Sequence, residues 1–107
     1  MRVVGVCGSL QRVSANRAVL DAVASIVQGS GNEWSWSTAL DQLPHFNPDL
    51  DPDDAGAGLA SWRADIAQAD AVVIASPEYA HSVPGALKNA LDWLVGGGEL
   101  YLSLIHI

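Results

Sequence analysis

The chain has 107 residues, of which 50% are hydrophobic and 16% are charged, a composition typical of one small globular domain rather than a disordered chain. Five basic residues against twelve acidic ones give a formal net charge of −7, which argues against a nucleic-acid partner. The single cysteine, Cys7, excludes an internal disulfide and argues against a cysteine-based zinc site.

The sequence also bears on location and on metal binding. We expect no signal peptide and no membrane span at the N-terminus, because the apolar stretch after Arg2 ends at Gly8 and is too short for either. A reducing, cytoplasmic location is compatible with the lone cysteine. The three histidines have no spacing typical of metal ligands, so we expect no metal site.

The first part of the chain predicts a strand, a helix and a second strand. Arg2–Cys7 is apolar enough for a strand buried on both faces. Ser14 is placed to cap the following helix. The apolar stripe of that helix would consist of Val19, Ala22, Val23, Ile26 and Val27. Residues 33–38 alternate polar residues with tryptophans, which predicts a strand with one less buried face.

A proline-rich and acidic segment, residues 40–58, predicts a surface loop before the second helix. The apolar positions of that helix would be Leu59, Trp62, Ile66 and Ala69. Ala71–Ala75 is an unbroken apolar run that predicts a third strand buried on both faces. Pro84 would open a third helix ending at residues 96–98, which are all glycine. Its sheet-facing positions would be Leu87, Leu91, Leu94 and Val95.

Strands and helices therefore alternate, a pattern that predicts a doubly wound parallel α/β sheet with right-handed crossovers. With the strand order 2-1-3, the first and third strands are neighbours across the switch point of the sheet. The loops that follow these two strands then lie at the same edge, where such sheets bind ligands.

The loop after the first strand has the properties of an anion site. Gly8, the hydroxyls of Ser9 and Ser14 and the amide of Asn16 lie at the start of a helix, whose free N–H groups and dipole favour a phosphate. Two arginines could add positive charge or simply face solvent: Arg12 and Arg17. The loop has neither the Gly-Lys-Ser/Thr of a Walker loop nor a G-x-G-x-x-G. The alternative is that both serines merely cap the helix.

The loop after the third strand is polar and aromatic. Pro77 ends the strand, and the turn that follows contains Glu78, Tyr79, His81 and Ser82. If the first loop holds a phosphate and the second lies against something flat, the pair suits a ligand with a phosphate at one end and a planar ring at the other.

These stretches resemble the NAD(P)H-dependent FMN reductases of flavodoxin-like fold. GSLxxxSxNR at residues 8–17 resembles the phosphate loop of this family, and LPxFN at residues 43–47 resembles its second-strand loop. PEY at residues 77–79, followed by Ser82, resembles its flavin-ring loop. PG at residues 84–85, LKN at residues 87–89 and DW at residues 92–93 resemble the helix after that loop. The resemblance extends from residue 2 to about residue 100.

The resemblance implies an FMN site formed by two groups of residues. The phosphate group would comprise Ser9, Gln11, Ser14, Ala15 and Asn16. The isoalloxazine would be bordered, largely by main-chain atoms, by Pro77, Glu78, Tyr79 and Ala80. Gln11 stands where the family usually has Arg and Ala80 where Asn is frequent, so the affinity for FMN could be lower. No catalytic side chain is implied, since the chemistry belongs to the cofactor.

The activity implied is that of an FMN-dependent oxidoreductase. Hydride would pass from NAD(P)H to the flavin, and electrons from there to a quinone, an azo compound, free flavin or a metal oxyanion. The resemblance also implies a homodimer or homotetramer with the site near a subunit contact. A flavodoxin-type electron carrier and an inactive fragment are the alternatives.

Members of the family continue with a fourth and a fifth strand, so we expect about three of five strands here. Residues 1–100 would form the N-terminal part of the domain, and residues 101–107 would be a tail of doubtful origin that could mimic a strand. Without a fourth strand, Ala71–Ala75 would be an exposed apolar edge. We therefore expect poor stability or self-association.

Overall fold

The computed structural model describes residues 1–95 and the backbone of residues 104–106. One parallel sheet has the strand order β2-β1-β3-β4. Its strands are β1 (Arg2–Cys7), β2 (Glu33–Trp36), β3 (Ala71–Ala75) and β4 (Leu104–His106). The helices between them are α1 (Ala15–Gly29), α2 (Ala57–Ala67) and α3 (Gly85–Asp92). The predicted doubly wound α/β architecture is confirmed.

The core lies between the sheet and the pair α2 and α3. β1 and β3 pair in parallel from Val3↔Ala71 to Cys7↔Ala75, and alternate side chains of both strands point to the same face. There they join helix residues in one buried cluster that includes Val4, Val6, Val72, Ile74, Leu59, Trp62, Ile66, Leu87 and Leu94. The opposite face is covered by α1. The predicted burial of both central strands is thus explained by helices on both sides.

The predicted stripe of α1 is partly wrong. Leu20 and Ala24 are buried against the sheet, whereas Val19 is 56% exposed and Ile26 is 69% exposed. Ala22 is also exposed, and the two other predicted positions are half-buried. Apolar residues cover a wide arc of this helix and leave Arg17, Asp21, Ser25 and Gln28 as a polar strip. The spacing of the apolar residues alone therefore did not determine which part of that arc meets the sheet.

The third helix is shorter than predicted. It begins directly after Pro84, as expected, but ends at Asp92. The N–H of Val95 donates to the carbonyl of Asp92, a three-residue spacing that rotates the following chain away from the helical face. Val95 is consequently 83% exposed, although Leu94 is buried as predicted. The glycines expected to end the helix lie outside the described residues.

The segment between β2 and α2 is more firmly anchored than a mobile surface loop. It contains two 3-10 turns, Leu40–Gln42 and Pro52–Asp54, and the side chain of Leu40 belongs to the core. The side chain of Asn89 on α3 accepts from the N–H of Phe46 at 2.6 Å and donates to the carbonyl of Pro44 at 2.9 Å. The second-strand loop motif and the α3 motif therefore contact each other directly.

The outer side of β3 differs from the expectation. β4 pairs in parallel with Ala71, Val72 and Val73, so this part of β3 is not an exposed edge. The expected exposed edge is wrong for these three residues, because the segment that could mimic a strand forms one. The resulting sheet has four strands rather than three.

Candidate functional site

The loops after β1 and β3 meet at the carboxyl edge of the sheet. The N–H of Gly8 donates to the carbonyl of Ala75 at 2.8 Å, one residue beyond the last pair of the ladder. A Cβ on Gly8 would lie 2.8 Å from Oγ and 3.1 Å from Cα of Ser76. The two predicted loops are therefore in direct contact, and glycine is the residue that permits the close approach.

The β1 loop folds back on itself directly after this contact. Ser9 is buried, and its Oγ accepts from the N–H of Gln11 at 3.2 Å. The thiol of Cys7 donates to the carbonyl of Ser9 at 3.6 Å. Ser9 thus shapes the loop from inside, while the side chain of Gln11 is exposed.

Ser14 caps α1, as the simpler alternative predicts. Its backbone is extended, and its Oγ accepts from the N–H of Arg17 at 3.1 Å. A hydroxyl that accepts one hydrogen bond retains its own hydrogen for donation. Ala15 and Asn16 are the first two residues of the helix, and their N–H groups have no carbonyl one turn earlier to bind. Capping and anion binding are therefore compatible at this helix start.

The two arginines of this region differ in their surroundings. The Arg17 guanidinium lies 3.6 Å from the centre of the Trp36 ring and its Nε lies 3.6 Å from a carboxylate oxygen of Asp21. Arg12 lines a cavity of about 180 Å³ between the β1 loop and the segment after β2. All five basic residues lie within residues 1–95, and of these Arg12 alone has no carboxylate partner there.

The β3 loop forms a tight turn at its tip. Tyr79 and Ser82 exchange two backbone hydrogen bonds of 3.0 Å. The two residues between them have positive φ angles, 51° for Ala80 and 61° for His81. This is the pattern of a type I′ turn, which usually contains Asn and Gly. The sequence prediction found the loop but missed this turn, because Ala and His carry no signal for it.

A larger cavity lies at the other end of the sheet. Its volume is about 530 Å³, and its lining includes Arg2, Gln28, Asn32, Glu33 and Gln68. These residues lie near the amino ends of β1 and β2, whereas doubly wound sheets bind ligands beyond the carboxyl ends of their strands. The candidate site is therefore the pair of loops at residues 8–16 and 76–82.

Comparison with known proteins decides the family. Residues 1–101 match the model of the family described as NADPH-dependent FMN reductase. The chain belongs to this family. The predicted family is confirmed, and the description of that family names both NADPH and FMN.

Individual relatives agree with this assignment. The chain is 38% identical over 96 residues to an NAD(P)H:quinone oxidoreductase of Solanum tuberosum, covering 87% of the chain and 49% of the relative. It is 37% identical over 95 residues to a quinone reductase of Escherichia coli K12, covering 88% of the chain and 50% of the relative. The chain thus spans about half the length of the curated relatives it matches.

A solved structure has the same fold. The flavoenzyme NAD(P)H:(acceptor) oxidoreductase FerB of Paracoccus denitrificans superposes with a TM-score of 0.85 at 30% sequence identity, covering 97% of this chain and 57% of that chain. Its similarity supports the flavodoxin-like assignment. Among the helices of the described residues, none is long and apolar enough to span a membrane.

The residues present suit an FMN phosphate. The loop offers a serine hydroxyl, two free N–H groups at a helix start and an arginine without a carboxylate partner within residues 1–95. These are the donors that bind phosphate in other proteins. The nine residues predicted to contact the cofactor lie in the two adjoining loops and at the first two positions of α1, and their individual contacts with FMN stay predictions.

Proposed function

We propose that this chain binds FMN at the carboxyl edge of β1 and β3 and contributes this site to an NAD(P)H-dependent oxidoreductase. The observation that carries the proposal is the contact of Gly8 with Ala75 and Ser76, which joins the two loops into one surface. Quinones are the acceptor class we favour, in line with the names of the relatives. In this proposal, residues 1–100 are the N-terminal part of a flavodoxin-like domain.

The phosphate end of the site would be formed by the β1 loop and the start of α1. The N–H groups of Ala15 and Asn16 and the hydroxyl of Ser14 would donate to phosphate oxygens, while Ser9 holds the loop in shape. Arg12 would supply the positive charge that Gln11 lacks. Hydrogen bonds to a charged group are worth about 1.5–3 kcal/mol each, enough to distinguish FMN from an uncharged flavin.

The ring end would be formed by the backbone of Pro77, Glu78, Tyr79 and Ala80. Bound FMN supplies hydride-accepting and electron-donating chemistry that no side chain has. The chain positions the ring, offers main-chain groups to its polar edge and limits the access of water. Tyr79 is 52% exposed and Val83 is 43% exposed, so this end has apolar surface that a second subunit could cover. We include a homodimer or homotetramer, and a cytoplasmic location, in the proposal.

Titration with two flavins tests the phosphate end. Riboflavin lacks only the phosphate, so we expect FMN to bind at least about tenfold more tightly than riboflavin. The quenching of flavin fluorescence on binding measures both dissociation constants. Inorganic phosphate should compete with FMN and not with riboflavin. Equal affinities for the two flavins would contradict the phosphate assignment.

Steady-state assays test the reaction. With FMN bound, we expect NADPH oxidation that depends on an added quinone, with azo dyes, free FMN and metal oxyanions compared as acceptors. FMN binding without NADPH oxidation would indicate a flavodoxin-type electron carrier instead. A protein that binds neither flavin would indicate an inactive fragment.

A further inference from the structure

The turn at the tip of the β3 loop is strained. Ala80 and His81 both adopt the left-handed conformation, with φ angles of 51° and 61°. In this region the Cβ of an L-residue lies too close to the following carbonyl oxygen, and only glycine avoids the clash. Two consecutive non-glycine residues therefore share a conformation that neither of them favours.

Few contacts hold the turn in place. Both residues are exposed, and within residues 1–95 the hydrogen bonds of the turn are the reciprocal pair between Tyr79 and Ser82. Within the same residues, His81 Nδ1 also lies 3.4 Å from Glu78 Oε1, and both of these side chains are solvent-exposed. Strained conformations persist only where their surroundings enforce them. We therefore expect the turn to exchange with more open conformations in the free protein.

We propose that Ala80 and His81 are positioning residues that set the affinity for flavin through the population of this turn. The proposal rests on the proposed flavin site, in which the backbone of residues 77–80 borders the ring. Ring binding through main-chain groups requires one backbone conformation. The apparent association constant is then the intrinsic one multiplied by the fraction of molecules in which the turn is formed. The side chains at these two positions need not touch the flavin.

Substitutions that change the turn preference test the proposal. The double variant Ala80→Asn/His81→Gly introduces the residue pair that type I′ turns favour most. The single variant His81→Gly leaves position 80 unchanged, so it adds no side chain that could contact the flavin, and it should act in the same direction. Ala80→Val should act in the opposite direction, because a β-branched residue is least tolerant of positive φ.

Gly31→Ala is the matched control. Gly31 has a φ of 81° in the connection between α1 and β2, and an added Cβ would meet nothing within 4 Å. The substitution therefore introduces the same kind of backbone strain far from the β3 loop. It should lower the melting temperature and leave flavin affinity unchanged.

Two measurements report separately on the formation of the turn and on the binding of flavin. The first is the hydrogen exchange of the Ser82 amide, which donates to Tyr79 within the turn, measured by NMR without flavin. The second is the dissociation constant for FMN. In the double variant we expect slower Ser82 exchange and an FMN dissociation constant about three- to tenfold lower, because the fraction of competent molecules rises.

Three results would overturn the inference about the turn. Unchanged Ser82 exchange, or equal FMN affinity in the wild type and the double variant, would overturn this inference and leave the proposed function intact. If no variant binds flavin, both the proposed function and the inference are refuted. A change caused equally by Gly31→Ala would overturn the inference as well, since it would then reflect global stability.

Discussion

Substituting Gly8 by alanine should weaken both the fold and the site. The added Cβ would lie 2.8 Å from Oγ, 2.9 Å from Cβ and 3.1 Å from Cα of Ser76. Oγ can rotate away, but the two carbons move only with the backbone of the β3 loop. Overpacking of this kind costs about 1–3 kcal/mol.

A smaller opposing effect reduces this loss. Replacing glycine by alanine restricts the unfolded chain and stabilises the folded state by about 0.4–1 kcal/mol where the backbone permits it. Gly8 is not among the glycines with positive φ, so its backbone permits alanine. The balance is a net loss of about 0–2.6 kcal/mol in the free energy of unfolding, with weaker binding of FMN because the two loops are pushed apart.

Urea unfolding followed by the fluorescence of the four tryptophans measures the change. Gly85→Ala is the control, because an added Cβ there meets nothing within 4 Å and the residue opens α3. We expect this control to be at least as stable as the wild type. Ser76→Gly removes both of the atoms nearest to the new Cβ, so the double variant Gly8→Ala/Ser76→Gly should recover about 1 kcal/mol relative to the sum of the single variants.

Two results would refute this reasoning. One is a Gly8→Ala variant with the same urea midpoint as Gly85→Ala. The other is a double-variant cycle with no coupling between positions 8 and 76. Either result would mean that the two loops do not touch at this point.

Three further expectations concern single side chains. Arg12→Gln should weaken FMN binding roughly fivefold at low salt, less at high salt, and leave riboflavin binding unchanged, whereas Arg2→Gln at the other end of the sheet should change neither. Trp62→Phe should lower the free energy of unfolding by about 1–3 kcal/mol, because it removes the buried Nε1–H that donates to the carbonyl of Ala90 at 3.0 Å. Trp34→Phe should cost less than Trp62→Phe in the same urea assay, because the buried Nε1 of Trp34 has no hydrogen-bond partner among the described residues.

Local signals predicted β1, β3 and the starts of α1 and α3 well, whereas the strand predicted at residues 33–38 ends at Trp36. β1 and β3 have the predicted bounds because their apolar, β-branched runs end at Gly8 and at a proline-containing loop. The capping role of Ser14 depends only on its own side chain and the next turn of the helix, so the sequence was sufficient. Features of this kind are decided within a few residues of the chain.

Features decided by distant contacts were not predictable. The exposed side of α1 became visible only with the sheet in place, since Val19 and Leu20 are equally apolar in character. The contact of Asn89 with Phe46 joins residues 43 positions apart, and no spacing rule relates them. Ala80 has a positive φ angle that alanine rarely adopts, so residue preferences predict a different turn at this position.

The proposed site combines three separable properties: the placement of two loops, the conformation of one turn and a positive charge. FMN and riboflavin together distinguish them, because the two ligands share the ring and differ only in the phosphate. Displacement of the two loops in Gly8→Ala should weaken the binding of both ligands and lower the free energy of unfolding. A better turn in His81→Gly should strengthen the binding of both ligands, and loss of charge in Arg12→Gln should weaken the binding of FMN alone. If instead the ratio of the FMN and riboflavin dissociation constants stayed the same in all three variants, the substitutions would act through global stability. The division of the site into a phosphate end and a ring end would then be wrong.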